Sequence, residues 1–295
     1  MTPETGAPEI GGPAGVCAVV LSAGEGTRLR PLTAALPKAL CPVGNIPLLD
    51  RALARLARHG LAGPAVVAVN ACYLADVVAG HVGDRAFVSR EPGPPALGTS
   101  GALDHLRDWI AGRGVLAVNA DAYLAPVDPQ CRDLGPLLDG WDGQTVRVLA
   151  VPAGDRPAEF TGPDGAGYRF AGASLLPADL VAALPPGRSD LVLTVWRPAE
   201  RAGRLEIRPY AGGYTDCGTP ADYLAANLHA ATLAGGSLVA PDATVTGTVI
   251  ASVVGSGAVV AGSITRCVVL PGARVGPDEV LVDAIRLPDG VTCPC

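Results

Sequence analysis

Lysine is almost missing from this chain. Of its 22 basic side chains one, Lys38, is a lysine, and the rest are arginine. Arginine is a wide planar fork and lysine a compact point charge on a flexible stem, so the two are not equivalent where phosphates crowd together. Composition alone makes Lys38 no more than a survivor in a chain biased to Ala, Arg, Gly and Pro; its neighbours have to give it meaning. Aromatic residues are scarce as well, at 4%, so the core must be built from Val, Leu and Ala. There is no basic run and the formal net charge is -6, which argues against nucleic acid as a partner. No apolar stretch approaches the ~20 residues that span a bilayer, so no membrane partner is expected.

Residues 1–15 lack both a basic n-region and an apolar h-region, so they read as a flexible tail and a cytoplasmic location is expected. The eight cysteines are scattered, with no CxxC pair. That pattern predicts free thiols in a reducing compartment. Cys293-Pro-Cys295 has the chemistry of a soft-metal pair but is expected to be a frayed end.

What the chain does have is apolar material in quantity: 49% of 295 residues, enough for one large domain with or without an appendage. Val16–Leu21 is a buried-strand run ending in a Gly-rich turn. Helical spacing over 48–59, with a Gly60 stop, is followed by a strand over 64–70, a helix over 74–81 and a strand over 86–89. A helix over 99–109 and a strand over 114–119 continue the alternation. Strands alternating with helices predict a doubly wound, Rossmann-like, mostly parallel sheet with helices on both faces. Ligands of such sheets bind beyond the carboxyl ends of the strands, where the Gly24 loop and Asp121 are expected.

The texture changes near Ser237. Ala243, Ala258 and Ala273 recur every 15 residues, and Val245, Val260 and Val275 repeat the offset. A fixed period of this kind predicts stacked β-coils, and the segment resembles a hexapeptide-repeat left-handed β-helix of two or three turns. The expected domains are therefore the tail (1–15), an α/β domain (16–233) and a short β-helix-like extension (237–290).

The turn after the first strand, Ala23-Gly24-Glu25-Gly26-Thr27-Arg28, lacks the third glycine of a dinucleotide fingerprint and the Gly-Lys-Ser/Thr of a P-loop. It still offers glycine amides that can approach phosphate oxygens, because glycine carries no Cβ. Arg28 can clamp such oxygens in bidentate fashion. The run Gly24 to Lys38 resembles the Gly-x-Gly-x-Arg-Leu-x-Pro-Leu-Thr…Pro-Lys signature of the sugar-1-phosphate nucleotidyltransferases (NDP-sugar pyrophosphorylases). The resemblance continues, in order, through Pro42–Pro47, Leu97-Gly98-Thr99-Ser100-Gly101-Ala102-Leu103, Asn119-Ala120-Asp121 and Asp216-Cys217-Gly218-Thr219-Pro220.

The resemblance implies a definite chemistry. A sugar phosphate oxygen would attack the α-phosphorus of an NTP and expel pyrophosphate, so catalysis would be mostly alignment and charge neutralisation. Arg28 and Lys38 would neutralise the leaving pyrophosphate. Ala23, Gly24, Gly26, Thr27, Gly98 and Thr99 would hold the nucleotide, largely through backbone groups, with Ser100 or Glu91 as further candidates for the base. Asp121 and Asp216 would hold Mg2+. The loop 97–103 and the compact size most resemble mannose-1-phosphate guanylyltransferases, followed by compact bacterial uridylyltransferases. The implied substrates are an NTP and a sugar 1-phosphate, GTP with mannose 1-phosphate or UTP with a hexose 1-phosphate.

One departure stands out. The family's mid-chain Glu-Lys-Pro lysine, a sugar-phosphate contact, is absent between Val151 and Gly172, leaving Arg156 and Arg169 as replacements beside Gly172 of the Phe-Ala-Gly piece. The same departure admits a second reading, a catalytically weak or inactive nucleotide-sugar-binding regulatory subunit of the same fold. An acyltransferase working through the coils is disfavoured, because all four histidines (59, 81, 105 and 229) precede them. The coils are instead expected to cap the domain or to mediate self-association as a homo-oligomer.

Overall fold

The computed structural model describes residues 15–125, 133–162 and 164–295. The expected tail (all but Gly15) and Cys131 lie outside them. Strand Val16–Leu21 sits near the middle of an eight-stranded sheet, paired in parallel with Val67–Ala71 on one side and Gly114–Asn119 on the other. Strand Phe87–Arg90 extends one edge in parallel. Beyond Gly114–Asn119 the direction reverses: Gly167–Leu176 is antiparallel to it and to Val146–Pro152, to which Leu205–Pro209 then adds in parallel. The sheet is thus mostly parallel, as expected, with one reversed strand that alternation does not reveal.

Residues alternate across the first strand as a sheet with two covered faces requires. Ala18 and Val20 pack with Leu49, Leu56 and Val78, from helices Leu48–Ala57 and Ala75–Val82, on one face. Cys17 and Val19 pack with Leu103, Leu106 and Ile110, from helices Gly98–His105 and Arg107–Ile110, on the other.

Past Leu233 the chain winds into three parallel ladders: 238–239, 253–254, 268–269 and 285–286; 244–245, 259–260 and 274–275; 248–250, 263–265 and 280–282. The first coils pair residues 15 apart (Leu238 with Val253, Val253 with Val268), so the period in the sequence is one turn of the stack. Ala258, Val260, Ala273 and Val275 fill its interior. The last turn carries two extra residues, Val268 pairing with Ile285. The end is not frayed. Thr292–Pro294 forms an antiparallel strand on Ala284–Arg286, because its backbone satisfies the last open edge. Cys293 and Cys295 are free thiols there, and no group of three or more potential metal ligands occurs among the described residues. Val268, Leu270, Ile285 and Leu287 of the coils share one core with Leu29, Val43, Leu48, Tyr223 and Ala230 of the α/β part. Among the described residues, no helix is long and apolar enough to cross a membrane.

Candidate active site

The segment between the first strand and Lys38 is irregular but firmly anchored. It descends through three short 3-10 turns, with Leu29, Leu32 and Leu40 buried as anchors. Gly26 has φ 64°, and a Cβ there would lie 3.0 Å from both the Lys38 Cβ and the Thr33 Cγ2. A side chain at 26 would collide with the base of Lys38, so this glycine is required by space as well as by φ. The Thr33 hydroxyl donates to the Gly26 carbonyl (2.7 Å), and the Tyr73 hydroxyl reaches the Thr33 and Ala34 carbonyls (2.9 and 3.0 Å).

Two carboxylates distant in sequence meet at the tip of Lys38. Strand Ala122–Ala125 pairs antiparallel with Gly213–Asp216, setting Asp216 opposite Ala122 and so beside Asp121. The Cys217 amide donates to the Asp121 carbonyl (3.2 Å) and locks the junction. Lys38 Nζ donates to Asp121 Oδ2 and lies 3.4 Å from Asp216 Oδ1. Burial pulls the Lys38 ammonium down, but attraction and hydrogen bonding from Asp121, with Asp216 adding, outweigh it and hold the group above its ordinary value. Arg28, exposed, reaches to 4.0 Å from Asp216 Oδ2. Burial, followed by Asp121, pushes the thiol of the adjacent Cys217 up, so it stays neutral. Tyr214 is likewise pushed up by burial, then by Asp216 and Asp121, with Arg169 opposing.

A cavity of about 220 Å3 opens beside this cluster, lined by Ala23, Gly24, Gly98, Thr99, Asn119 and Asp121 among others. The sequence-predicted nucleotide residues Ala23, Gly24, Gly98 and Thr99 therefore face one space. Gly26 and Thr27 do not line it, and Gly26 lies against the base of Lys38. Glu91 and Ser100 do not line this cavity. Buried Glu91 accepts from Asn70 Nδ2 and the Leu97 amide (both 2.7 Å), and Asn70 Oδ1 accepts from the Ser22 amide (2.7 Å). Glu91 thus ties the Leu97 segment, through Asn70, to the loop that begins at Ser22. Ser100 is fully buried and receives a hydrogen bond from the Thr194 hydroxyl (2.9 Å).

A second cavity, about 290 Å3, adjoins the first and shares Leu21, Thr99, Asn119 and Asp190 with it. Its far walls are Phe160, Phe170, Trp196 and Arg197. Trp196 lies 4.7 Å from Phe170, ring centre to ring centre, and ends a π-helical turn, Val192–Trp196, a departure from α-helix that recurs at functional sites. No sequence motif points to this wall. Asp190, Phe160 and Trp196 stand in no motif; only the density of aromatics in an aromatic-poor chain marked the region. Of the mid-chain arginines, Arg156 pairs with Asp222 (3.5 Å) and Arg169 stands near Tyr214. Gly172 (φ 79°) sits where the reversed strand changes register, and a Cβ there would lie 2.4 Å from that of Ala122. Close packing explains this glycine without any ligand.

The family model for nucleotidyl transferases matches residues 17–125, which hold Lys38, the Gly24 loop, the 97–103 loop and Asp121. Residues 17–125 are a nucleotidyl transferase domain. Curated proteins similar to most of the chain include sugar-1-phosphate nucleotidyltransferases. A mannose-1-phosphate guanylyltransferase of Mycobacterium tuberculosis is 28% identical, over 93% of this chain and 82% of the relative. An N-acetylmuramate alpha-1-phosphate uridylyltransferase of Caulobacter vibrioides is 27% identical, over 72% of this chain and 96% of the relative. A solved structure described as a glucose-1-phosphate thymidylyltransferase of Bacillus anthracis, in complex with sucrose, aligns with TM-score 0.59 at 20% identity, over 73% of this chain and 95% of that one. At that identity the likeness shows the fold alone.

Proposed function

We propose that the protein transfers the nucleotidyl group of an NTP to a sugar 1-phosphate, giving an NDP-sugar and pyrophosphate. What carries the reading is the convergence of Lys38, Arg28, Asp121 and Asp216 at the mouth of a cavity floored by Gly24 and Gly98. The nucleoside occupies the 220 Å3 cavity, with the Ala23 and Gly24 backbone and the Gly98–Thr99 turn around it. The sugar takes the adjoining aromatic-walled cavity, and Arg169, Arg197 or Arg156 supplies the cation that a lysine provides in the family. Lys38 and Arg28 turn toward the β- and γ-phosphates and neutralise the charge that builds on leaving pyrophosphate. Asp121 and Asp216 are the residues that would hold Mg2+. One cationic group already fits between them, and a two-carboxylate site completed by phosphates and water is what this ion uses. Bound there, such an ion would supply screening of the phosphate charge.

GTP with mannose 1-phosphate and UTP with a hexose 1-phosphate are the proposed pairs, supported by the two relatives that cover most of their own length. Pyrophosphate release across a matrix of NTPs and sugar 1-phosphates tests the proposal. Turnover with at least one pair is expected. Nucleotide binding without turnover would favour the regulatory-subunit reading motivated by the absent mid-chain lysine.

A further inference from the structure

Lys38 occupies the place that the reading above gives to a metal ion. Its Nζ bridges Asp121 and Asp216, and its side chain is only 10% exposed. An ammonium and a divalent cation repel each other and compete for the same carboxylate oxygens, so both cannot hold this position. Arg28 adds a further positive charge from the solvent side of Asp216. A poorly hydrated ammonium cannot leave its carboxylates at low cost unless another anion receives it.

Resting on the proposed metal role of Asp121 and Asp216, we propose that Lys38 is the resident counter-ion of this pair in the ligand-free protein. It passes to the triphosphate when nucleotide binds, so the divalent ion enters with the nucleotide and not before it. The triphosphate is the one reactant whose charge can draw the ammonium off both carboxylates at once. The base of its side chain lies close against Gly26, which leaves the Nζ end as the part that can swing. Metal and nucleotide then bind with positive coupling, and by linkage each raises the affinity of the other.

Mn2+ titrated into the full chain and followed by electron paramagnetic resonance reads this directly. Without nucleotide, Lys38→Met and Lys38→Gln are expected to bind Mn2+ roughly tenfold or more tighter than the wild-type chain, the scale of one unit charge removed beside a divalent ion. Equal affinity would overturn the proposal. A measurement on the wild-type chain keeps the test independent of variant folding. With 15N-labelled lysine, Lys38 gives the single lysine side-chain resonance of the protein. Mn2+ alone, at a concentration equal to the protein, should leave it sharp; Mn2+ with a non-hydrolysable GTP or UTP analogue should broaden it. Broadening by Mn2+ alone overturns the handover while leaving the metal site standing. Failure of Mn2+ to bind even with the analogue present removes the metal site, and the handover with it.

Discussion

At the residue scale, the proposed transfer site rests on Lys38, which meets Asp121 and Asp216 and, with Arg28, is proposed to neutralise the triphosphate. Lys38→Ala is expected to lower kcat by roughly 10²–10³-fold or more, the loss typical of one stabilising donor at the reacting centre. Lys38→Arg should recover little, because the wider fork must fit a nearly buried position whose base lies against Gly26 and whose end lies between two carboxylates. Steady-state kinetics settle the point: near-normal activity of Lys38→Arg would return the residue to chance. Glu91 makes a different prediction. Glu91→Ala strands the Asn70 side-chain amide and the Leu97 N–H, at a cost of roughly 2–6 kcal/mol for two buried donors. Urea unfolding would measure it, and a cost under 1 kcal/mol would show that water replaces the carboxylate. That Lys38 and Arg28 would stand together with Asp121 and Asp216 was legible, because the motifs that hold them are contiguous. Glu91, Trp196 and Arg197 were not, because their roles depend on contacts between segments that carry no common motif.

At the scale of elements, the alternating strands and helices and the 15-residue repeat could be read directly, since burial periodicity and coil stacking are written in local spacing. Strand direction could not. The alternation could be followed only to Asn119, and nothing local in Gly167–Leu176, which carries two glycines, Arg169 and Ser174, records that it runs the other way. Its bulge matters for the site, because Gly172 lies against Ala122, the residue after Asp121. Gly172→Ala should destabilise the protein by roughly 1–3 kcal/mol from its left-handed backbone and lower kcat by shifting Asp121. Adding Ala122→Gly should restore part of the activity and little of the stability, measured as kcat and as thermal midpoint. A double variant no better than Gly172→Ala alone would rule out the contact as the route to Asp121.

At the scale of the whole molecule, the coils are built into the nucleotidyl transferase domain. Val268, Leu270, Ile285 and Leu287 complete the core around Tyr223 and Leu48. A chain ending at Leu233 should therefore aggregate or unfold at lower temperature, seen by scattering and calorimetry. Self-association is better tested on the full chain, where Ile250, Val280 and Val282 are exposed on the outer ladder. Val280→Lys should lower the sedimenting mass if that ladder joins copies of the protein, and an unchanged mass would reject the contact. The central claim, that these parts form a working transfer site, rests on the meeting of Lys38, Asp121 and Asp216. Its most direct test is pyrophosphate release by the wild-type chain and by Asp121→Asn over a panel of NTPs and sugar 1-phosphates with Mg2+. The account predicts turnover with at least one pair and its loss in Asp121→Asn, with nucleotide still binding. A wild-type chain that binds nucleotide yet releases no pyrophosphate with any pair, or an Asp121→Asn variant that turns over normally, would contradict it.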